Sequence, residues 1–484
     1  MRTIGKVLIF ASIFNTAGSA FAQAPDTLWT RTYGGIYDNL PEKGCATVEG
    51  NYVLAGSTNS YAPFDHNIGA LCFTSTGDTG WTAYYGAPSR TDYGRVVAAT
   101  IDSGLVFAGN ANIGDFQTLL VKTDLKGKVK WQKTYPKPLD AWPAGAVALA
   151  DTGFIVGGYA KNLSNPSNVD FYALRTKPNG DTLWTRSYGT ALEEYAYGTC
   201  ATTDTGMIVV GYSVAAGTGD RDVYAVRIRS NGDTAWTRTY GGPTWDEAWS
   251  IIPLSDGSYL IGGYTIASPG GENVLLIKIS GDGSVQWTSA IGGAENERAY
   301  DVRETSDHGI VIGGRTVIAG KSHQMLLMRA NASGAFLWST HCGGAGFEYA
   351  SFVHQNLDGT FILGGRTNSG TGGYYKYYLA KYAATATGVD ANASQLPEHL
   401  FLHQNYPNPF NPTTVVEFDL PTTSPVSVTV YSLLGQEVAV LVSSTLSAGH
   451  HRVEWNAAGF PSGVYICRLD AASQSATRKF VLLR

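Results

Sequence analysis

The sequence predicts an all-β protein, a seven-bladed β-propeller followed by a small Ig-like β-sandwich. Two sets of seven residues, one of tryptophans and one of glycines, recur in step and predict the propeller. A change of composition near residue 383 predicts the second domain. The 484 residues include 58 Gly and 28 Tyr, a balance that favours strands and tight turns over helices.

Residues 1–22 are typical of a secretory signal peptide. Arg2 and Lys6 precede the short apolar run Val7–Phe14, and Ala20-Phe21-Ala22 offers a small-x-small cleavage site. The run is shorter than the ~20 apolar residues that a membrane-spanning helix needs. We therefore expect a secreted chain with no transmembrane segment once the signal peptide is removed.

The tryptophan series has spacings of 50 to 53 residues, and a glycine follows each member at a similar distance. Four short strands in about 50 residues make a propeller blade. The stretch 258–303 shows this plan, with expected strands at 258–265, 273–279, 285–288 and 299–303. The tryptophans are Trp29, Trp81, Trp131, Trp184, Trp236, Trp287 and Trp338, and the glycines are Gly56, Gly109, Gly158, Gly211, Gly263, Gly314 and Gly365.

The phase of the repeat predicts a closed ring. The first unit begins with a Trp strand, 26–30, whereas the last unit has strands at 361–367 and 374–382 but no Trp strand. The N-terminal strand would complete the last blade, which hides the apolar faces that one blade cannot hide alone. An open β-solenoid is the alternative, but it does not explain this phase. The predicted propeller covers 23–382.

The repeated Trp and Gly residues have a structural interpretation. We expect each Trp ring to pack between blades with its N–H bonded to a neighbouring carbonyl, and each Gly to mark a close approach of two backbones. The stretch 232–242 resembles the "GD-x-x-W-T-x-x-Y-G-G" propellers of secreted bacterial cargo proteins. Kelch propellers are similar, but their Gly doublet lies closer to the Trp. This resemblance implies a fold and no activity.

A linker is predicted at 383–397, followed by a second domain at 398–484. The stretch 404–414 carries three prolines in six residues, so it is extended and cannot be a central strand. Short strands are expected after it, and five or more of them suggest a Greek-key sandwich. They are 414–420, 426–432, 450–455, 463–469 and 478–483.

This domain resembles the type A C-terminal sorting domain of type IX secretion cargo; a generic Ig-like module is the alternative. The resemblance implies export across the outer membrane by machinery that grips this domain, and then release or attachment at the cell surface. An exposed basic end at Arg478, Lys479 and Arg484 would suit such a handle. The motif residues are Asn405, Tyr406, Pro407, Asn408, Pro409, Phe410, Asn411, Pro412, Gly435, Gly463, Tyr465, Arg478 and Lys479.

An acidic residue follows each Trp strand, and the seven could form a ring at one mouth of the propeller channel. Converging carboxylates favour a cation or a polar ligand. The alternative is that each carboxylate accepts hydrogen bonds from turn amides in its own blade. The residues are Asp38, Asp92, Asp140, Glu194, Asp246 (or its neighbour Glu247), Glu297 and Glu348.

No catalytic constellation is evident. The histidines lack a paired metal-ligand spacing, no G-x-S-x-G stretch occurs, and the D-S-G and D-T-G triplets at 102–104 and 151–153 fall at hairpin turns of the repeat. No motif indicates a cofactor. The five cysteines are widely scattered and do not form a disulfide framework. A net charge of -5 argues against nucleic acid as a partner.

The leading hypothesis is a binding or display module that holds an extracellular glycan or protein at the channel mouth or on the long loops of the propeller. We expect it to be a monomer. One alternative is a secreted polysaccharide-active enzyme, which needs two carboxylates or a comparable group in one cleft. The other is a purely structural surface protein without a discrete ligand.

Overall fold

A computed structural model describes residues 24–483, except 61–65, 89, 150, 163, 166–167, 215–218, 268–270, 294, 371, 385–399, 406–407, 409, 447–448 and 473. The predicted signal peptide and most of the predicted linker lie outside the described residues. The chain divides into two compact units, Met1–Ala386 and Thr387–Arg484. The part of the chain described here contains no helix long and apolar enough to cross a membrane.

Each repeat folds into a four-stranded antiparallel sheet, and seven such sheets make up the first unit. The inner strands are β2 (Asn39–Ala46), β6 (Asp92–Thr100), β10 (Trp142–Ala148), β14 (Glu194–Ala201), β18 (Asp246–Pro253), β22 (Asn296–Glu304) and β26 (Glu348–Gln355). The second strands are β3 (Tyr52–Thr58), β7 (Gly104–Asn112), β11 (Phe154–Lys161), β15 (Met207–Val214), β19 (Tyr259–Ala267), β23 (Ile310–Val317) and β27 (Phe361–Thr367).

Two more strands complete each sheet toward its outer edge. The third strands are β4 (Asn67–Phe73), β8 (Phe116–Asp124), β12 (Val169–Thr176), β16 (Arg221–Ile228), β20 (Gly271–Ile279), β24 (His323–Ala330) and β28 (Lys376–Tyr382). The outer strands are β5 (Thr79–Tyr85), β9 (Val129–Tyr135), β13 (Thr182–Tyr188), β17 (Thr234–Tyr240), β21 (Val285–Ile291), β25 (Phe336–Cys342) and, from the N-terminus, β1 (Thr27–Tyr33).

The N-terminal strand closes the ring. Strand β1 pairs antiparallel with β28, so the last blade has the order β1-β28-β27-β26. The inner strand β2 contacts both β6 and β26, which places the first blade beside the last. The prediction of a seven-bladed propeller is confirmed, and the open solenoid is wrong because both chain ends of this unit share one sheet.

Apolar side chains fill the interfaces between neighbouring blades. Each of seven buried clusters draws its residues from two adjacent sheets; one cluster, for example, joins Ile155 of β11 to Val209 of β15. The second strands lie deepest, and every residue of β3 is buried. A single sheet cannot bury its apolar faces alone. Burial of these faces between neighbouring blades therefore accounts for the ring.

The repeated Trp and Tyr side chains of the outer strands form hydrogen bonds to the next blade. The Trp81 indole donates a hydrogen bond to the carbonyl of Leu125 at 2.9 Å, and the Tyr85 hydroxyl donates to the carbonyl of Gly127 at 2.9 Å. Gly127 lies in a hairpin turn with φ 78°, and a Cβ there would come 3.0 Å from the Trp81 ring. The repeat phrase thus encodes a contact between blades, as its structural interpretation predicts.

The repeated glycine permits a β-bulge in every inner strand. In the fifth blade the pairing with β19 passes from Ala248 directly to Ser250, so Trp249 is the extra residue. A Cβ on Gly263 would lie 1.8 Å from the carbonyl oxygen of Glu247, so only glycine fits beside the bulged strand. The seven bulge residues are Glu42, Arg95, Ala144, Tyr197, Trp249, Tyr300 and Ser351.

The second unit is a sandwich of two antiparallel sheets around one core, which confirms the predicted Ig-like fold. Buried aromatic side chains at Phe410, Trp455 and Phe480 fill it. The first sheet contains β29 (Phe401–Leu402), β30 (Thr413–Leu420) and β33 (Gly449–Asn456). The second contains β32 (Glu437–Leu446), β31 (Ser424–Ser432), β34 (Gly463–Ala471) and β35 (Gln474–Leu482). The sequence did not predict β32, whose side chains are mostly exposed or half-buried.

Candidate functional site

The bulged inner strands surround a cavity of about 240 Å³ on the propeller axis. All seven inner strands contribute to its wall, and all seven bulge residues line it. At one point the ammonium group of Lys43 in the first blade donates a hydrogen bond to the carbonyl of Trp249 in the fifth blade at 3.0 Å. Because this bond joins blades that are not neighbours, it crosses the channel.

One side of the cavity is aromatic. The rings of Tyr197 and Trp249 stack with centroids 4.3 Å apart and planes 15° apart. Trp249 meets Tyr300 edge-on at 5.1 Å, and Tyr300 meets Tyr349 at 5.5 Å, so four consecutive blades contribute one connected row of rings. All four side chains are half-buried, so part of each remains open to the cavity. Such a wall offers apolar area in a fixed orientation.

Cationic side chains also line the cavity, and two of them lie against aromatic rings. The Arg95 guanidinium lies 5.4 Å from the centroid of Trp142. Arg366 lies 4.2 Å from the ring of Tyr349, a member of the aromatic row, and pairs with Glu42 at 3.4 Å. Arginine binds anions in a planar, two-pronged geometry, so these side chains provide directed donors for a polar ligand.

Burial sets the protonation states in the cavity. It raises the pKa values of Tyr197 and Tyr300, so both phenols keep their protons. It lowers the pKa of His323, which favours the neutral imidazole. It also lowers the pKa of Lys43 to about 8, which leaves this amine mostly charged at neutral pH.

The predicted acidic residues lie at a different place, at the start of the inner strands. Five of them, Asp92, Glu194, Asp246, Glu297 and Glu348, share one position, two residues before the partner of the repeat glycine, and are buried. Asp38 and Asp140 precede that position by one residue, and Asn39 and Ala141 occupy it in their blades. None of the seven acids lines the cavity described above.

Each of the five shared carboxylates accepts a hydrogen bond from the crossover turn that leads into its blade. The amide of Gly242 donates to Asp246 at 2.8 Å, and that of Ala87 donates to Asp92 at 2.7 Å. The amides of Thr190, Gly293 and Gly344 donate to Glu194, Glu297 and Glu348 in the same way.

Asp38 and Asp140 also accept backbone amides, from Tyr375 at 2.8 Å and Phe116 at 3.4 Å. Within the described residues no group of three or more His, Cys, Asp or Glu side chains is placed to hold a metal ion. For the five buried acids this geometry supports the alternative that the sequence left open, whereas the donors to Asp38 and Asp140 lie in the preceding blade. A ligand role for the acidic ring stays a prediction.

Sequence reasoning missed the bulge residues that do line the cavity. Each lies three residues after the shared acidic position, but the residue type changes from blade to blade. The available sequence signal for these residues was the variation in residue type at one position of an otherwise regular repeat. The bulge that turns this position toward the axis depends on pairing with the second strand, which composition does not reveal.

In the sorting motif, residues near the start of the second unit form hydrogen bonds to residues near its end. Asn408 donates to the carbonyl of Lys479 at 3.0 Å and accepts from the amide of Val481 at 2.8 Å. The Phe410 amide donates to the Val481 carbonyl at 2.9 Å, which holds the proline-rich stretch beside β35. Tyr406, Pro407, Pro409 and Arg484 lie outside the described residues.

The remaining motif residues take structural or exposed places. Asn405 is buried and donates to Thr414 at 2.9 Å, and Tyr465 donates to the carbonyl of Pro461 at 2.7 Å. Gly435 adopts φ 76° in the turn before β32. Asn411 and Lys479 are exposed, Pro412 and Arg478 are half-buried, and Gly463 begins β34.

The secretion system C-terminal sorting domain family matches residues 404–483, which include this motif and the strands that hold it. The chain carries the sorting domain of type IX secretion cargo. The protein is therefore directed to the cell surface or the extracellular space, and its sorting domain implies an interaction with the type IX export machinery. No curated protein sequence matches the chain.

Several solved structures are similar in fold. A protein of unknown function from Dyadobacter fermentans DSM 18053 is 11% identical, with a TM-score of 0.42 over 74% of this chain and 99% of that one. The polysaccharide lyase Uly1 is 10% identical, with a TM-score of 0.42 over 76% and 94%. PorZ, a surface component of the type IX secretion system of Porphyromonas gingivalis, is 11% identical, with a TM-score of 0.29 over 94% and 70%.

Proposed function

We propose that the secreted protein is a glycan-binding module whose propeller cavity holds one or two sugar units of an extracellular polysaccharide. The observation that carries this proposal is the row of aromatic rings on one side of the cavity. The C–H faces of a sugar pack against such rings, while guanidinium groups in the same cavity can bond to its oxygens.

The size of the cavity favours a sugar over a protein partner. A stable protein interface buries about 800 Å² on each side over a broad surface. The aromatic row lies instead inside a concave space of about 240 Å³, which suits a small cyclic group. Export of a folded, rigid propeller to the cell surface also places this cavity where polysaccharides occur.

The enzyme alternative has less support in this cavity. Glycoside hydrolysis commonly uses two carboxylic acids on either side of the scissile bond. Among the described residues that line the cavity, Glu42 is the one carboxylate, and it pairs with Arg366. We therefore base the proposal on binding.

A glycan array probed with the secreted full-length protein tests this proposal. We expect binding to one class of polysaccharide fragment, and we expect Trp249→Ala to weaken it about tenfold because the stacking wall is lost. Trp184→Ala is the matched control, since Trp184 lies on an outer strand and donates to the carbonyl of Ser230 at 3.2 Å, outside the cavity. Both variants are assayed well below their melting temperatures.

Two outcomes would contradict the proposal. One is the absence of any glycan that binds at micromolar concentration. The other is equal loss of binding in the Trp249→Ala and Trp184→Ala variants, which would trace the effect to general destabilisation of the propeller.

A further inference from the structure

The cavity carries a charge opposite to that of the chain. Four cationic side chains line it, Lys43, Arg95, Arg315 and Arg366, against the single carboxylate of Glu42. The whole chain has a formal net charge of -5. A concave site with an excess of one charge concentrates ligands of the opposite charge.

Arg95 has no acidic partner among the described residues. Its Nε donates to the carbonyl of Pro143 at 3.5 Å, and its guanidinium lies over Trp142. A guanidinium has five N–H donors, so most of its bonding capacity remains available in the cavity. A neutral sugar hydroxyl would use little of this capacity, whereas an anion would use it fully.

Arg315 and Arg366 also retain unused donors. Arg315 pairs with Glu272 at 3.2 Å, but Arg298 also bonds to both oxygens of that carboxylate. The Nε atoms of Arg315 and Arg366 are buried and have no hydrogen-bond partner in the described part of the chain. Because these Nε atoms are closed to solvent, a ligand in the cavity can bond only to the terminal N–H groups of the two guanidiniums.

Lys43 adds a second type of cation near Arg95. Its ammonium group uses one of three donors, on the Trp249 carbonyl. The charge of Arg95 reaches Lys43 and, like that of Arg303, disfavours the protonated amine, while Asp301 and Glu42 favour it. A ligand anion in the cavity would favour the protonated amine.

We infer that the cavity binds an anionic sugar, with the acidic group directed to Arg95 and Lys43 and the ring against the aromatic row. This inference rests on the proposed function and adds the chemical class of the ligand. A uronate carboxylate and a sulfate ester share the required chemistry, because each presents oxygens that a guanidinium binds in pairs.

Titration calorimetry on the full-length protein with four probes tests the inference. The probes are an oligogalacturonate, its methyl-esterified counterpart, a sulfated galactan oligosaccharide and inorganic sulfate. We expect one of the two acidic oligosaccharides to bind at least about tenfold more tightly than the ester and than inorganic sulfate. Added salt should weaken that binding, because screening acts on the charge contacts.

Arg95→Gln supplies the matched variant and Arg238→Gln its control. Arg238 also lies beside a tryptophan, 5.7 Å from the ring of Trp236, and also bonds to backbone carbonyls, but it lies on an outer strand. We expect Arg95→Gln to weaken binding of the acidic probe about tenfold and to leave binding of the ester unchanged. Arg238→Gln should change neither.

The outcomes separate this inference from the proposed function. If a neutral glycan binds as tightly as the acidic probes and Trp249→Ala still weakens it, the anionic preference is wrong and the glycan site stands. If inorganic sulfate matches the oligosaccharides, the cavity is a simple anion site and the inference fails. If none of the oligosaccharide probes binds but the array shows a bound glycan, this inference alone fails; if the array shows none either, both fail. Should Arg95→Gln not fold, the salt dependence and the ester comparison on the unchanged protein decide.

Discussion

Two positions occur once in every blade and differ in chemistry. The outer-strand position holds tryptophan seven times, whereas the bulge position of the inner strand holds Glu, Arg, Ala, Tyr, Trp, Tyr and Ser in turn. Six of the seven Trp rings meet a hairpin turn of the next blade, as Trp81 meets Gly127; the blade after Trp338 has no such turn because its outer strand is β1. The bulge set faces a space that no blade fills.

The difference shows how a repeat protein separates its fold from its binding site. A position that fits the same kind of turn in six of the seven blades accepts one residue type. A position that faces the cavity has no common turn to fit, so its seven members can differ and together make an asymmetric wall. Symmetric positions therefore stabilise this propeller, and asymmetric ones line its cavity.

Replacing a repeat glycine should have the largest effect, because the backbone of the bulged inner strand packs directly against it. In Gly263→Ala the new methyl group would meet the Glu247 carbonyl and displace the bulge at Trp249. We expect a loss of about 3 kcal/mol in the free energy of unfolding, measured by denaturant titration, together with weaker glycan binding.

Gly293→Ala is the control for this change. A Cβ at Gly293 would meet nothing within 4 Å, and we expect a change within about 0.5 kcal/mol. Equal losses in the two variants would show that the bulge does not depend on the absence of a side chain at the repeat glycine.

The ring itself could be predicted from the sequence because its determinants are periodic. Spacing of the tryptophans gave the number of blades, and the missing last Trp strand gave the closure between β1 and β28. The sorting domain was recognisable because its motif residues are fixed by local contacts, such as those of Asn408 with β35. Strand β32 was not predicted, because it lies at a sheet edge and its side chains are exposed or half-buried.

The binding site could not be predicted in the same way. The acidic series at the inner strands recurs regularly, and this regularity was the reason to predict a site there. In the structure, its carboxylates accept hydrogen bonds from turn amides. The bulge residues are irregular in type, and their common location follows only from strand pairing. Regularity was thus a guide to the fold and a poor guide to the site.

A replacement at the acidic position tests that distinction with a smaller effect. Asp246 is 4% exposed and accepts the Gly242 amide, so Asp246→Ala leaves a turn donor without its acceptor. We expect a loss of about 1–3 kcal/mol in unfolding free energy and no change in glycan affinity. Asp246→Asn keeps an acceptor oxygen and should lose less than about 1 kcal/mol. Loss of ligand binding without loss of stability would assign this position to the site instead.

The smallest expected effect is a pH dependence that belongs to the asymmetric wall alone. Burial, opposed by the charges of Asp301 and Glu42 and reinforced by those of Arg303 and Arg95, lowers the pKa of Lys43 to about 8. A lysine is charged below its pKa and neutral above it. Affinity for an acidic oligosaccharide should therefore fall roughly five- to tenfold between about pH 7 and about pH 9.

We expect no such change from His323, Tyr197 or Tyr300 in the same wall. Burial lowers the pKa of His323, so it stays neutral over this range, and burial raises the pKa values of Tyr197 and Tyr300, so both stay protonated. Lys43→Met should bind more weakly at neutral pH and lose the pH dependence. Lys133→Met on an outer strand, where Lys133 pairs with Asp181 at 2.6 Å, should keep it. A pH dependence that survives in Lys43→Met would show that a group other than Lys43 titrates in this window.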